Sequence, residues 1–239
     1  MAAKRNRLDR FISQHSHYHR RDVRLLLARG QITVDGEKAC GINQLVDHFS
    51  MVSIDGVVVQ HNHCRYFMLY KPIGVVSATK DNAHQTVFDL LPPAIQQIDD
   101  LHIAGRLDLN TSGLILLTND GRWSKQLSHP SGGILKHYRV GVGKALDGNY
   151  IAAFAKGIHF PFEDITTAPA NLRICDLHTA ELTLSEGKYH QIKRMFGRFR
   201  NPVVSLHRHR IGDIILDAEL SPGQYRNLTA QEVALIKPS

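Results

Sequence analysis

The 239-residue chain has only three cysteines, Cys40, Cys64 and Cys175, and they lie far apart. An odd, dispersed set forms neither a disulfide framework nor a C-x-x-C metal site, and it suits a reducing compartment. No apolar run approaches the roughly 20 residues that span a bilayer. The opening MAAKRNRLDRF has no apolar core of the kind a secretory signal requires. A cytoplasmic chain without a membrane partner is expected. There is no Walker loop, no GxGxxG unit and no Cys/His zinc spacing, so no nucleotide, redox cofactor or metal is expected. His15, His17 and His19 alternate in HSHYHRRD without a Cys or carboxylate at ligand spacing. They are expected to be surface or backbone-bonded side chains. No internal repeat or low-complexity tract is visible.

Positive charge, by contrast, is in excess: formal net charge is +7 and the pI is near 9.4. A polyanionic partner is consistent with that balance. Its distribution says more. Between Gly187 and Arg210 stand Lys188, Lys193, Arg194, Arg198, Arg200, Arg208 and Arg210, with no Asp or Glu among them. Such a concentration is expected to meet a phosphate backbone, and the HRHR run, His207 to Arg210, is expected to be a phosphate-facing strand.

The length allows one sizeable core plus a small accessory domain. The accessory domain reads from residue 1 to 61. Leu8, Phe11 and Ile12 fall at i, i+3, i+4, as do Val23, Leu26 and Leu27, predicting two short amphipathic helices. Arg20, Arg21 and Arg24 lie largely off the apolar stripe of the second, which Gly30 ends. QITVDG and MVSIDGVVV read as strands, and Asp55-Gly56 is a two-residue hairpin signal. A polar stretch at 60–65 reads as a linker to a second domain, residues 62–239.

In that second domain RYFMLYK is a strand broken by Lys71-Pro72-Ile73-Gly74. The segment GRLDLNTSGLILLTND, Gly105 to Asp120, sets Asp108 between Arg106 and a small polar turn of Asn110, Thr111, Ser112 and Gly113. The apolar run Leu114–Leu117 follows as a buried strand. A carboxylate on a loop against a rigid strand, with a cation two residues away, is suited to serve as a nucleophile. RWSKQLS reads as a short helix stopped by Pro130. KHYRVGVG is a strand carrying Tyr138. LDGNYIAAFAKGI is a helix with Asp147 as N-cap and Gly157 past its end. TAELTLSEG is a strand, and Ile192, Met195, Phe196 and Phe199 mark the apolar stripe of a further helix. A mixed α+β catalytic domain is expected.

The string from Gly105 to Asp120 closely resembles the signature of RNA pseudouridine synthases, with Asp108 in the catalytic position. KPIG resembles the family's first motif, where the role is structural. EGKYHQIKRMF, Glu186 to Phe196, resembles its third. That motif's basic residue pairs with the catalytic aspartate and falls on Lys193, with Arg194 as runner-up. Such a cation, within ~4–6 Å, lowers a carboxylate pKa by about 1–3 units and offsets desolvation. Tyr138 matches the tyrosine that stacks on the target base. RLDRFIS, VRLLLARGQITVDGEKA and VSIDG resemble, in order, the S4 (α-L-like) RNA-binding domain. The resemblance implies a mainly antiparallel catalytic sheet, no cofactor, and catalytic Asp108, Tyr138 and Lys193. It implies substrate contacts from Arg106, Thr111, Ser112, Arg194, Arg20, Arg21 and Arg24. VVSLHRHRIGDIILDAEL and ELSPGQYRNLTAQE resemble the bacterial small-subunit branch most. They imply 16S ribosomal RNA as substrate, free or in a 30S assembly intermediate, and a monomer is the default expectation. A 23S rRNA enzyme and a non-catalytic S4-type ribosome-assembly protein are the alternatives.

Overall fold

The computed structural model describes residues 5–128 and 133–236. The chain divides between Cys64 and Arg65 into two compact units, inside the polar stretch 60–65.

In the first unit, β1 (Asn6–Arg7) leads into α1 (Leu8–His15), and α2 (Arg20–Ala28) follows. Leu8, Phe11 and Ile12 from α1 and Val23 and Leu26 from α2 enter one small core, as the helical spacing predicts. Beneath them lie β2 (Ile32–Val34), β3 (Glu37–Lys38), β4 (Leu45–Val46), β5 (Val52–Ile54) and β6 (Val57–Gln60). Four form an antiparallel sheet in the order β3-β2-β5-β6, and β4 pairs with β1. Asp55 and Gly56 both take positive φ, 53° and 77°. That is the backbone a two-residue hairpin turn demands. His15 Nδ1 contacts the Phe11 carbonyl at 3.0 Å. Arg20, Arg21 and Arg24 remain exposed along α2.

The second unit is built on nine strands. They are β7 (Tyr66–Lys71), β8 (His102–Ala104), β9 (Ser112–Thr118), β10 (Lys136–Val142), β13 (Asn171–Ile174), β14 (Thr179–Leu184), β15 (Val203–Ile211), β16 (Ile214–Ile215) and β17 (Tyr225–Asn227). A separate small pair, β11 (His159–Phe160) and β12 (Ile165–Thr166), stands apart. The main sheet runs β13-β14-β10-β15-β9-β7-β17, with β16 beside β15 and β8 beside β9. Every pairing is antiparallel except β9 with β15, so the unit is the mixed, mainly antiparallel α+β domain that was expected. Helices α3 (Pro93–Gln96), α4 (Gly121–Ser128), α5 (Gly148–Lys156), α6 (Gln191–Gly197) and α7 (Ala230–Ala234) complete it. Asp147 caps α5 by accepting from Asn149 N at 2.9 Å. Pro130, expected to stop α4, lies outside the described residues.

Strand β9 explains its own sequence. Alternation sends Ile115 and Leu117 to one face and Leu114 and Leu116 to the other. All four are fully buried, in separate cores. A strand covered on both faces must be apolar at every position. Tyr150 and Phe154 of α5 and Met195 and Phe196 of α6 cover one face. Trp123 and Leu127 of α4, with Leu228 and Ile236, cover the other. At Gly113, φ is 113° and a Cβ would overlap the backbone of Arg208. Only glycine permits β15 to approach there.

Two buried cations position the loop that enters β9. Lys71, at the end of β7, is fully buried. Its Nζ donates to the carbonyls of Pro72 at 2.9 Å, Leu109 at 3.3 Å and Thr111 at 2.7 Å. Arg208 of β15 is almost as buried. Its guanidinium donates to Gly105 O at 2.8 Å, Arg106 O at 3.3 Å and Leu114 O at 2.8 Å. Ser77 and the Leu107 backbone exchange two further bonds, of 2.7 and 3.0 Å. Gly74 N donates to Leu109 O at 2.9 Å. KPIG therefore does serve the structure. The phosphate-facing reading of HRHR fails at Arg208, which points inward and spends its donors on carbonyls, and Arg210 is tied to Asp213.

Arg208→Met leaves one buried and two part-buried carbonyls without their charged donor. It should lower unfolding free energy by about 3 kcal/mol, read from urea melts followed by Trp123 fluorescence. Lys71 supplies a pH test. Burial, opposed by Asp108 and aided by Arg208 and Lys193, pulls its amine from 10.5 down to about 8. The unfolded chain therefore binds more protons between those values. The penalty for burying the charge is complete below about pH 8 and is relieved as pH climbs toward the unfolded value. Wild type should gain about 2 kcal/mol over Lys71→Met between about pH 8 and pH 10. A pH-independent difference would contradict this.

Candidate active site

The pinned loop forms one wall of a cavity of about 440 Å³. Arg106, Asp108 and Thr111 come from the loop, Tyr138 from β10, Leu206 from β15, and residues 187–193 from the turn that opens α6. Asp108 is 31% exposed, and its two oxygens have different neighbours. Lys193 Nζ stands 3.8 Å from Oδ2, and His190 Nε2 stands 3.6 Å from Oδ1. Both are long for tight pairs, as catalytic contacts often are before substrate arrives.

The turn before α6 is knotted so that these groups face the loop. Glu186 accepts from Gln191 Nε2 at 2.7 Å and from Ala168 N at 2.9 Å, and it pairs with Lys188. Lys188 N donates to Gln191 Oε1 at 2.9 Å. His190 takes a left-handed backbone, φ 49° and ψ 30°. For a residue with a Cβ that costs on the order of 1–3 kcal/mol. Tyr189, 77% exposed, stacks its ring on His190 at 3.9 Å.

The sequence expectations fare unevenly. Asp108, Tyr138 and Lys193 line one cavity, and Arg106 stands exposed on its wall. Tyr138 is buried in register with Leu182 and Arg208. Thr111 lines the cavity too, and its buried hydroxyl oxygen has no hydrogen-bond partner among the described residues. Ser112 does not join them. One residue further along a strand, it points to the opposite face, where its hydroxyl meets His207 Nδ1 at 3.0 Å. Arg194 also turns away, pairing with Glu163 and lying 3.8 Å over the Phe160 ring. The cation beside Asp108 is therefore Lys193. Arg20, Arg21 and Arg24 belong to the first unit. Sequence reasoning assigned no role to His190. The available signal was that His tolerates left-handed backbone better than most residues, but nothing in YHQ shows that this one adopts it.

Residues 65–197 match a family model described as RNA pseudouridylate synthase. A ribosomal small subunit pseudouridine synthase A of Pseudomonas aeruginosa is 48% identical over 231 residues, covering 96% of this chain and all of the relative. Its Escherichia coli K12 counterpart is 41% identical over 233 residues, 96% of this chain and 99% of that one. A crystal structure of a pseudouridylate synthase superposes with a TM-score of 0.70 at 36% identity, over 97% of this chain and 99% of the other. Aligned end to end with such relatives, and matched by the family model over more than half its length, this chain belongs to the RNA pseudouridylate synthases.

Proposed function

We propose that this chain converts a uridine of 16S ribosomal RNA to pseudouridine, as a monomer in the bacterial cytoplasm, on free RNA or a 30S assembly intermediate. The observation that carries the reading is Asp108 in a cavity with Tyr138, flanked by Lys193 and His190 on separate oxygens. The printed names of the small-subunit relatives support the choice of RNA.

A stacked uridine is unreachable in place, and extruding it costs a few kcal/mol. Stacking on the Tyr138 ring returns about 1–3 kcal/mol of that. The N1–C1′ bond then breaks with Asp108 acting at the sugar, by attack or by supporting a glycal-type intermediate. Both routes need a carboxylate within reach of the ribose. The uracil turns, C5 bonds to C1′, a proton leaves C5, and N1 gains one. Atoms balance and nothing else is consumed. Lys193 and His190 orient the carboxylate. The Thr111 hydroxyl, otherwise unpartnered, bonds the extruded nucleotide, and Arg106 meets phosphate. The first unit acts as an S4-type module whose Arg20, Arg21 and Arg24 hold RNA.

Unmodified 16S and 23S rRNA, bare and as assembly intermediates, would be incubated with enzyme and mapped by carbodiimide primer extension. One new stop in 16S rRNA is expected, and it should vanish in Asp108→Asn, whose turnover falls on the order of 1000-fold or more. A stop in 23S rRNA overturns the substrate assignment. No stop in any RNA, with binding retained, favours an assembly protein without chemistry. Single-turnover rates separate the two adjacent cations. Lys193→Met should lose on the order of 100-fold, whereas Arg194→Met should stay within about threefold of wild type.

A further inference from the structure

Strand alternation that sends Tyr138, Leu182 and Leu206 to the catalytic face sends other residues to the opposite face of the same sheet. There, over β13, β14, β10 and β15, lies a second cavity of about 610 Å³. Every residue lining it is polar or charged, the side-chain stems included in its walls: Arg139 and Arg173, His137, His207 and His209, and Glu181, with Asn171 and Thr183. The neighbouring half of that face, over β7 and β9, is sealed by Trp123, Leu127 and Leu228. This half carries no apolar cover of its own among the described residues. Its composition is not that of an interface waiting for an apolar partner. The two arginines project from adjacent registers, Arg139 opposite Glu181 on β14 and Arg173 opposite Glu181 from the other side. Neither guanidinium has an ion pair or hydrogen bond among the described residues. Glu181 is met instead by His209 Nε2 at 3.8 Å.

We propose that this open sheet face binds the phosphate backbone of the RNA substrate, away from the target uridine, with Arg139 and Arg173 as the principal contacts. Two free guanidiniums on one concave surface match the geometry of phosphate oxygens. Three imidazoles supply further donors at the margin. His137 is fixed by Thr183 Oγ1 at 3.0 Å and His207 by Ser112 at 3.0 Å. Burial first, and then Arg210 and the neighbouring His209, hold His137 below the ordinary imidazole range. Burial and His209 do the same to His207, and Glu181 opposes the shift in both. An arriving phosphate relieves that cationic crowding. This inference rests on RNA being the substrate, not on which ribosomal subunit supplies it.

The test uses the full-length protein and 16S and 23S rRNA transcripts, with dissociation constants measured at pH 8 across a range of salt. Arg139→Gln/Arg173→Gln should weaken binding about tenfold at low salt, and the log–log salt slope should fall by about 2. Glu181→Gln removes the one carboxylate at the site and should tighten binding about threefold. A residue that merely supported the fold would not tighten binding when altered. Wild-type affinity and slope in both variants overturn the proposal, as does looser binding by Glu181→Gln. Titration with inorganic phosphate, followed by the imidazole resonances, separates a free-anion site. If phosphate shifts His137 and His207 while the variants bind RNA normally, the cavity holds a small anion and the RNA assignment is wrong. A general preference for 23S rRNA alters the proposed substrate, while the differences between variants on either transcript still decide this face.

Discussion

Two buried cations donating to backbone carbonyls hold the loop that carries Asp108, and most of what is distinctive in the second unit depends on them. Lys71 and Arg208 reach the loop from strands on either side of β9 and between them satisfy carbonyls from Gly105 to Leu114. A buried charge is expensive unless every donor is used, and here nearly all are. In return a segment without regular structure acquires the rigidity of the sheet. Neither charge lines the cavity; both lie behind the loop that forms its wall. A carboxylate set into this wall feels the charge of Lys71 behind it and faces Lys193, with the His190 imidazole at its other oxygen.

Rigidity on one side is matched by a second fixed element on the other. The network joining Glu186, Lys188 and Gln191 determines where α6 begins. That starting point decides which of two adjacent cations faces Asp108. Lys193 follows Ile192, which is buried, and sits at the edge of the cavity. Arg194, one position on, rotates about 100° further around the helix and finds Glu163 and Phe160 instead. Helical phase separates a residue beside the Asp108 carboxylate from one that ties α6 to its surroundings.

Much of this was legible in the chain. The 3.6-residue spacing of Leu8, Phe11 and Ile12 and the Asp55-Gly56 pair gave the first unit, because local periodicity and turn chemistry dominate in so small a fold. The unbroken run Leu114–Leu117 announced a buried strand, which the fold covers on both faces, and the string around Asp108 marked a loop that lines a cavity. Failures came where strand geometry, not residue type, decides. Ser112 looked equivalent to Thr111 until alternation put them on opposite faces. Arg208 looked like its neighbours in a basic run, yet it is enclosed by a loop that precedes it by about a hundred residues. The left-handed backbone of His190 is a tertiary demand, and composition cannot show it.

The long reach of Arg208 also bears on how the protein is made. Its partner Gly105 lies 103 positions earlier in the chain, and the parallel contact of β9 with β15 spans a similar interval. Non-local pairings of this kind form late and slowly. During synthesis Asp108 leaves the ribosome well before the arginine that fixes its loop, and until β15 docks, the carbonyls of Gly105, Arg106 and Leu114 face water. The loop that carries Asp108 is thus assembled only when nearly the whole polypeptide is present. A fragment ending before β15 carries the complete signature string on a loop that nothing on that side holds in place.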